Sequence, residues 1–236
     1  NLITLFNLYT ITMQEMKRKT GIKLRMRTKL KHSVVVLSFF FLSVTVGLML
    51  YFNFTQNKSA LGAVNNEYRS ITSGNWSTLS TWQRYNGSSW VAATAVPTSA
   101  HKLITVQSGH TVTVTANVTV DEVVVSSGGT LSLNTGITLT VANGSGTDFS
   151  VSGTFRNAGT VTINSSATIA YQASGTYQHN YSTTAGVIPT ASWATGSSCE
   201  IVGYTTNSST PTGMQSFYNF VWNCPSQSSA ITLNGT

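Results

Sequence analysis

The chain has 236 residues, of which only 8% are charged, and its formal net charge at pH 7 is +7. The positive charge is local, because eight of the thirteen Lys and Arg residues lie between Lys17 and Lys31. From Leu61 onward four basic residues face five acidic ones. The part of the chain from Leu61 onward therefore lacks the basic surface that nucleic-acid binding needs, so we expect no nucleic-acid partner.

An apolar run follows the basic cluster, since residues 34–52 read VVVLSFFFLSVTVGLMLYF. A positive segment before an apolar run is typical of a secretory signal, and this run is also just long enough to span a bilayer. We expect residues 1–33 to be a basic N-terminal segment, in part untranslated. Residues 34–52 are predicted to be a signal peptide or a signal-anchor helix. The predicted localisation is extracellular or at the cell surface, with membrane attachment through this helix if it is not cleaved.

A linker is predicted over residues 53–72, and the following residues 73–100 are rich in aromatic side chains. This segment opens with SGNWSTLSTW, which places Trp76 and Trp82 six residues apart among small polar residues. Tyr85 and Trp90 flank the sequence NGSS, which we expect to be flexible. Such rings either stack on sugars from an exposed position or are buried against the structure that follows.

Short strands and turns are predicted over residues 101–236, with no helical periodicity. HTVTVTANVTV alternates strictly, and a bend is expected at Asp121–Glu122, where the phase changes. Glycines in the phrases SGH, SGG, SGT and SGT lie at positions 109, 129 (the second of its pair), 153 and 175, which indicates a repeat of twenty-odd residues. We therefore predict an all-β fold, a right-handed parallel β-helix (β-solenoid) truncated at its C-terminus. The alternative is an antiparallel β-sandwich, whose turns are closer together.

The segment from residue 73 to 133 resembles the glycine-eight domain, a family of extracellular modules. The matching positions are Trp76, Trp82, Pro97, Val106, Gly109, Val112, Val123, Gly129 and Leu131. The resemblance implies a module at the start of a right-handed β-helix. The whole chain is also similar to the large secreted repeat proteins of Bacteroidetes-type bacteria, with phrases such as FYNFVWN at residues 217–223.

The aromatic residues divide between two predicted roles once a solenoid is expected. The end of a solenoid exposes apolar core and strand edge, so it needs a cap. We assign Trp76 and Trp82 to this structural cap. Tyr85 and Trp90 are the candidate ligand-binding residues, and the expected ligand is an extracellular polysaccharide or a cell-surface glycan.

No catalytic or metal-binding residues are predicted. Asp121 and Glu122 are sequence neighbours that would point to opposite faces of a regular strand, and Asp148 and Glu200 look isolated. The sequence NGSGTD at 143–148 supplies too few anionic oxygens for calcium. His101, His110 and His179 are scattered and are expected at the surface or in turns. We expect no cofactor.

Cys199 and Cys224 are separated by about one coil, so neighbouring coils would bring them near disulfide distance. In an exported chain a disulfide is slightly favoured over two buried thiols. Taken together, the sequence predicts an exported structural or adhesive solenoid without catalytic activity of its own. The alternative is a carbohydrate-binding module of a larger polysaccharide-degrading protein.

Overall fold

The computed structural model describes residues 63–232, and this part of the chain consists almost entirely of short strands. Its one helical element is a 3-10 turn at Leu79–Thr81. β-Branched side chains recur in the strands, since they pack well on a pleated surface. In chain order the strands are β1 Tyr68–Ser70, β2 Gly74–Asn75, β3 Trp82–Tyr85, β4 Trp90–Ala92, β5 Ile104–Val106, β6 Thr111–Val114, β7 Val118–Val120, β8 Val123–Val125, β9 Thr130–Leu133, β10 Thr138–Val141, β11 Phe149–Val151, β12 Thr154–Asn157, β13 Thr160–Ile163, β14 Ile169–Tyr171, β15 Thr176–His179, β16 Ser192–Trp193, β17 Ser198–Ile201 and β18 Asn219–Trp222.

The strands form three sheets that run along a parallel β-solenoid of about five turns. An eight-stranded sheet has the order β16-β14-β11-β8-β5-β1-β3-β4, a seven-stranded sheet the order β18-β17-β15-β12-β9-β6-β2, and a three-stranded sheet the order β13-β10-β7. Within residues 63–232 every pairing between coils is parallel, and only β1–β3 and β3–β4 pair antiparallel. The predicted solenoid is confirmed and the alternative sandwich is wrong.

The register shows how long each coil is. On the seven-stranded sheet an outward row contains Thr111, Thr130, Thr154, Thr176, Ser198 and Asn219, so successive coils span 19, 24, 22, 22 and 21 residues. The predicted repeat is therefore correct in size. The alignment of glycines predicted from the sequence is wrong by one residue at its first step, because Gly109 lies beside Gly128 rather than Gly129.

Glycine is required at the corner that precedes this row. A Cβ atom on Gly153 would lie 2.3 Å from the carbonyl oxygens of Gly129 and Ser126 in the previous coil. Backbone atoms of stacked coils thus meet where a side chain would otherwise stand. Glu122 has φ of 50°, so the bend predicted at Asp121–Glu122 is a residue in the left-handed region.

The core is a set of inward rows, because alternate residues of each strand face opposite sides. The first row of the seven-stranded sheet is Val112, Leu131, Phe155, Tyr177, Cys199 and Phe220. The second row is Val114, Leu133, Asn157, His179, Ile201 and Trp222. All are buried except the last member of each row, which is partly exposed. Stacking such rows about 4.8 Å apart builds one continuous core.

The solenoid sheets begin before the predicted boundary at residue 101. β1 and β2 already pair in parallel with β5 and β6, so part of the predicted linker 53–72 belongs to the first coil. β3 and β4 then extend the eight-stranded sheet as an antiparallel meander. The predicted N-terminal segments 1–33 and 34–52 lie outside the described residues. Within residues 63–232, no helix combines the length and the apolar character needed to cross a membrane.

Candidate functional site

Trp76 and Trp82 lie inside the first coil, with 3% and 0% of their surface exposed. Their rings meet edge to face at 4.9 Å between centroids. The Trp82 indole N–H donates to the Trp76 carbonyl at 2.8 Å, and the Trp76 N–H donates to the Pro97 carbonyl at 2.9 Å. The two indoles are therefore packed and hydrogen-bonded, and they offer no exposed ring face for a sugar.

The outer side of the meander carries the other predicted aromatic pair. Tyr85 on β3 lies directly opposite Trp90 on β4, so both side chains share one face of the sheet. Their ring centroids are 5.4 Å apart at an interplanar angle of 58°, and both residues are partly exposed. The structure thus brings together the two predicted ligand-binding residues.

Two further residues complete this surface, which we call the meander face: Arg69, Gln83, Tyr85 and Trp90. Arg69 lies opposite Gln83, whose side-chain oxygen accepts from Arg69 Nε at 3.2 Å and from Nη2 at 2.9 Å. The Arg69 guanidinium carbon lies 4.2 Å from the centroid of the Trp90 ring, a cation–π contact. One face of Trp90 is thereby covered by a cation, which the sequence analysis did not anticipate.

The turn between β3 and β4 fixes the relative position of these rings. The Asn86 side-chain oxygen accepts hydrogen bonds from the backbone N–H and hydroxyl of Ser88 and from the backbone N–H of Ser89, at 2.9–3.0 Å. Gly87 adopts φ of 98°, which a glycine tolerates. The NGSS sequence that was expected to be flexible is a hydrogen-bonded turn.

A groove of about 410 Å³ lies beside Trp76. It is bounded by the segment around Val96 and Thr98 and by β7 with the residues before it, including Asn117 and Thr119. None of the side chains that line it ionises, so it contains no group for acid–base chemistry.

Two acids that looked isolated in the sequence meet across neighbouring coils. Asp148 is fully buried and accepts hydrogen bonds from the backbone N–H of Gly144 at 2.7 Å and of Thr168 at 2.6 Å. Asp121 lies against it, and its carboxylate lies so close over Gly144 that a Cβ atom there would be 2.1 Å from Asp121 Oδ2. The expectation that Asp148 stands alone was wrong, because the coil register and the loop 143–148 determine its neighbour.

The two carboxyl groups titrate differently. Burial, together with the neighbouring Asp148, raises the pKa of Asp121. Burial also acts to raise the pKa of Asp148, but the N–H groups of Gly144 and Thr168 outweigh it and hold that pKa below its ordinary value. Residues 63–232 contain no group of three or more His, Cys, Asp or Glu side chains arranged to hold a metal ion.

His179 is fully buried, so its predicted place at the surface or in a turn was wrong. Its Nε2 donates to the Ala185 carbonyl at 2.7 Å, and its Nδ1 accepts from the Tyr177 hydroxyl at 2.9 Å. Asn157 Nδ2 donates to the same hydroxyl at 3.1 Å. Burial lowers the pKa of His179 to about 4, so the ring is neutral at pH 7 and its hydrogen bonds are complete.

The predicted disulfide between Cys199 and Cys224 is not formed, and both cysteines are free thiols. The coil that joins them places Phe220, not Cys224, beside Cys199. The Cys224 thiol donates instead to the Ile201 carbonyl at 3.3 Å. The spacing argument failed because this coil advances 21 residues, so the two cysteines are out of register. Burial raises the pKa of Cys199 to about 12, which makes it a poor nucleophile.

In comparisons with known proteins, no protein-family model, no curated protein and no solved structure matches this chain.

Proposed function

We propose that this protein is an exported structural or adhesive β-solenoid that has no catalytic activity and displays a saccharide-contacting surface. The stacked coils supply a rigid rod, because each coil pairs with the next along whole strands. Its winding is right-handed in this proposal, as in the β-helices that the glycine-eight resemblance implies. Trp76 and Trp82 act as the cap that closes the first coil.

The observation that carries the proposal is the aromatic pair on the meander face. Tyr85 and Trp90 stand side by side on the outer side of a sheet whose other side is core. Aromatic rings held rigidly on a sheet offer apolar sugar faces a surface on which to pack, at little cost in conformational entropy. The ordered Asn86 turn pre-organises the pair. A polysaccharide or a cell-surface glycan is the proposed partner.

The export part of the proposal rests on the basic segment and apolar run of residues 17–52. The absence of catalysis rests on how the close acidic pair is used. Asp148 is buried and its carboxylate oxygens accept hydrogen bonds from backbone N–H groups, so it does not face a substrate. The acids of this corner serve the fold in this proposal.

A glycan array tests the proposal directly. The full chain is expected to bind at least one class of polysaccharide, and a Tyr85→Ala, Trp90→Ala double variant is expected to lose most of that binding. The matched control is Tyr218→Ala, since Tyr218 is an exposed aromatic residue outside the meander face, with 54% of its surface accessible. Binding that survives the double variant, or that is lost equally in the control, would contradict the proposed surface.

A further inference from the structure

We infer that the meander face recognises an acidic saccharide, a polysaccharide of uronic-acid units, and that Arg69 binds the sugar carboxylate. This inference rests on the proposed function, because it names the substrate class of the same surface. The sequence suggested only the two aromatic rings. The structure adds a cation fixed between them and the rest of the sheet.

Arg69 reaches the surface because of strand alternation. Its neighbours Tyr68 and Ser70 are buried, with 1% and 0% of their surface exposed, so the residue between them points to the other side of the sheet. That side is the one shared by Gln83, its partner across the β1–β3 pair. The cation therefore lies on the same face as Tyr85 and Trp90.

The guanidinium is held in one orientation by neutral groups. Within residues 63–232 its contacts are the Gln83 amide oxygen, which accepts from both Nε and Nη2, and the face of the Trp90 ring. Neither contact neutralises the positive charge. A flexible side chain is thus fixed before any ligand arrives, which reduces the entropy lost on binding.

The remaining edge of the guanidinium suits a carboxylate. Gln83 occupies the Nε side, so the end formed by Nη1 and the second N–H of Nη2 stays available. Two N–H groups at that end match the two oxygens of a carboxylate, which arginine binds in a bidentate way. A uronic-acid unit combines such a carboxylate with an apolar ring face, and Tyr85 lies beside Trp90 to meet the latter.

Arg69 is the main source of attraction for an anionic ligand at the meander face, because the chain from Leu61 onward carries no excess of positive charge. Only four basic residues follow Leu61 against five acids, so no general positive field draws anions to this surface. Arg84, the neighbour of Gln83 on β3, alternates to the other side of the strand. Removing Arg69 leaves the meander face without its cation.

The test measures the affinity of the full chain for polygalacturonate and for the same polymer after methyl esterification, which removes the charge. We expect the charged polymer to bind at least ten times more tightly. Arg69→Gln should weaken this binding at least tenfold, and Arg69→Lys should weaken it less, since it keeps the charge and loses the fork. Added salt should weaken binding of the charged polymer.

Arg156→Gln is the matched control, because Arg156 is an exposed arginine on the seven-stranded sheet that contacts Gln178 and Asn180 rather than an aromatic ring. It should change the affinity less than twofold. Equal effects of Arg69→Gln and Arg156→Gln would overturn the assignment of Arg69. Arg69→Gln that weakens binding of dextran sulfate as much as binding of polygalacturonate would overturn the preference for carboxylate.

The same experiment separates this inference from the proposed function. If the charged and the esterified polymer bind equally well and Arg69→Gln changes neither affinity, the inference of an acidic ligand is overturned. Saccharide binding, the proposed function, would still stand. A chain that binds neither polymer, and nothing on the glycan array, would overturn both. The circular dichroism and thermal midpoint of each variant verify that the fold is kept.

Discussion

The early coils of the solenoid, here called the front, and the later coils from β12 onward, here called the rear, fill equivalent buried positions with different side chains. The second inward row of the seven-stranded sheet is aliphatic in the early coils, with Val114 and Leu133, and becomes Asn157 and His179 in the next two. All four are buried, with at most 1% of their surface exposed. A position in the stack therefore specifies burial, and it does not by itself specify an apolar residue.

The rear coils accept polar residues because these residues satisfy one another. Asn157, Tyr177 and His179 form a chain of hydrogen bonds that ends on the Ala185 carbonyl. Asn157 also accepts from the Gly159 N–H at 3.0 Å, and Tyr204 donates to the Ala185 carbonyl at 2.6 Å. In the first coils the indole N–H groups of Trp76 and Trp82 bond to nearby carbonyls. The buried Ser70 hydroxyl pairs with His110 Nδ1 at 2.8 Å and accepts from the Gln107 backbone N–H at 2.9 Å. Buried polar groups are tolerated where each has a partner.

The largest expected effect is at the front, where burial of apolar surface is the main source of stability. Trp82→Ala should cost about 4 kcal/mol, because it removes a fully buried indole and leaves a cavity next to Trp76. For a body of this size the thermal midpoint should fall by about 10 °C. Differential scanning calorimetry of the full chain measures this shift.

Two further variants make the Trp82 result specific. Trp82→Phe keeps a ring and removes the N–H that serves the Trp76 carbonyl, so a smaller loss of about 1–2 kcal/mol is expected. Leu79→Ala lies in the same segment with 46% of its side chain exposed, and it should change stability by less than about 0.5 kcal/mol. An unchanged midpoint in Trp82→Ala would show that the indole is not a cap.

At the rear, the largest expected effect depends on pH. The pKa of His179 is about 4 in the folded chain and about 6.5 when unfolded, so the unfolded chain binds the extra proton between these values. The contribution of His179 is complete above about pH 6.5. It is lost as the pH falls toward 4, by about 3 kcal/mol in total. Urea unfolding at a series of pH values measures the slope.

His179→Gln should flatten this pH dependence, because glutamine does not titrate, although it lowers stability at neutral pH by disturbing the hydrogen bonds to Tyr177 and Ala185. His101→Gln is the comparison, since burial also lowers the pKa of His101 but that ring is partly exposed. It should retain most of the slope. A slope that is unchanged in His179→Gln would contradict the difference drawn between front and rear.

The sequence predicted the regular part of this molecule and missed the contacts between coils. Alternation at Val112 and Val114 and the glycine at 153 follow from local chemistry, and the structure confirms both. The meeting of Asp121 with Asp148 depends on the register between β8 and β11, which a whole coil of intervening chain sets. Arg69 contacts Trp90 only because β1, β3 and β4 form an antiparallel meander. The repeat in the sequence does not predict this pairing. The alternation of residues in the sequence predicts which face of a strand each side chain occupies. Which side chains become neighbours on adjacent coils depends on the register between the strands.

The smallest expected effect lies at the Asp121–Asp148 corner, between the aliphatic and the polar coils. Because the pKa of Asp121 is raised, its favourable contribution is greatest in acid and is lost as the pH rises through its folded pKa. Asp121→Asn cannot ionise, and its amide can donate to Asp148, so it should stabilise the fold by less than about 1 kcal/mol at pH 7 and by nothing measurable near pH 3. Asp148→Asn should destabilise at pH 7, since the Gly144 and Thr168 N–H groups bond to different carboxylate oxygens and the amide leaves one of them facing an NH2 donor. Urea midpoints at the two pH values distinguish these outcomes. Equal destabilisation by both variants at pH 7 would show that Asp121 is held as a structural acceptor, and that the corner resembles the hydrogen-bonded chain of Asn157, Tyr177 and His179.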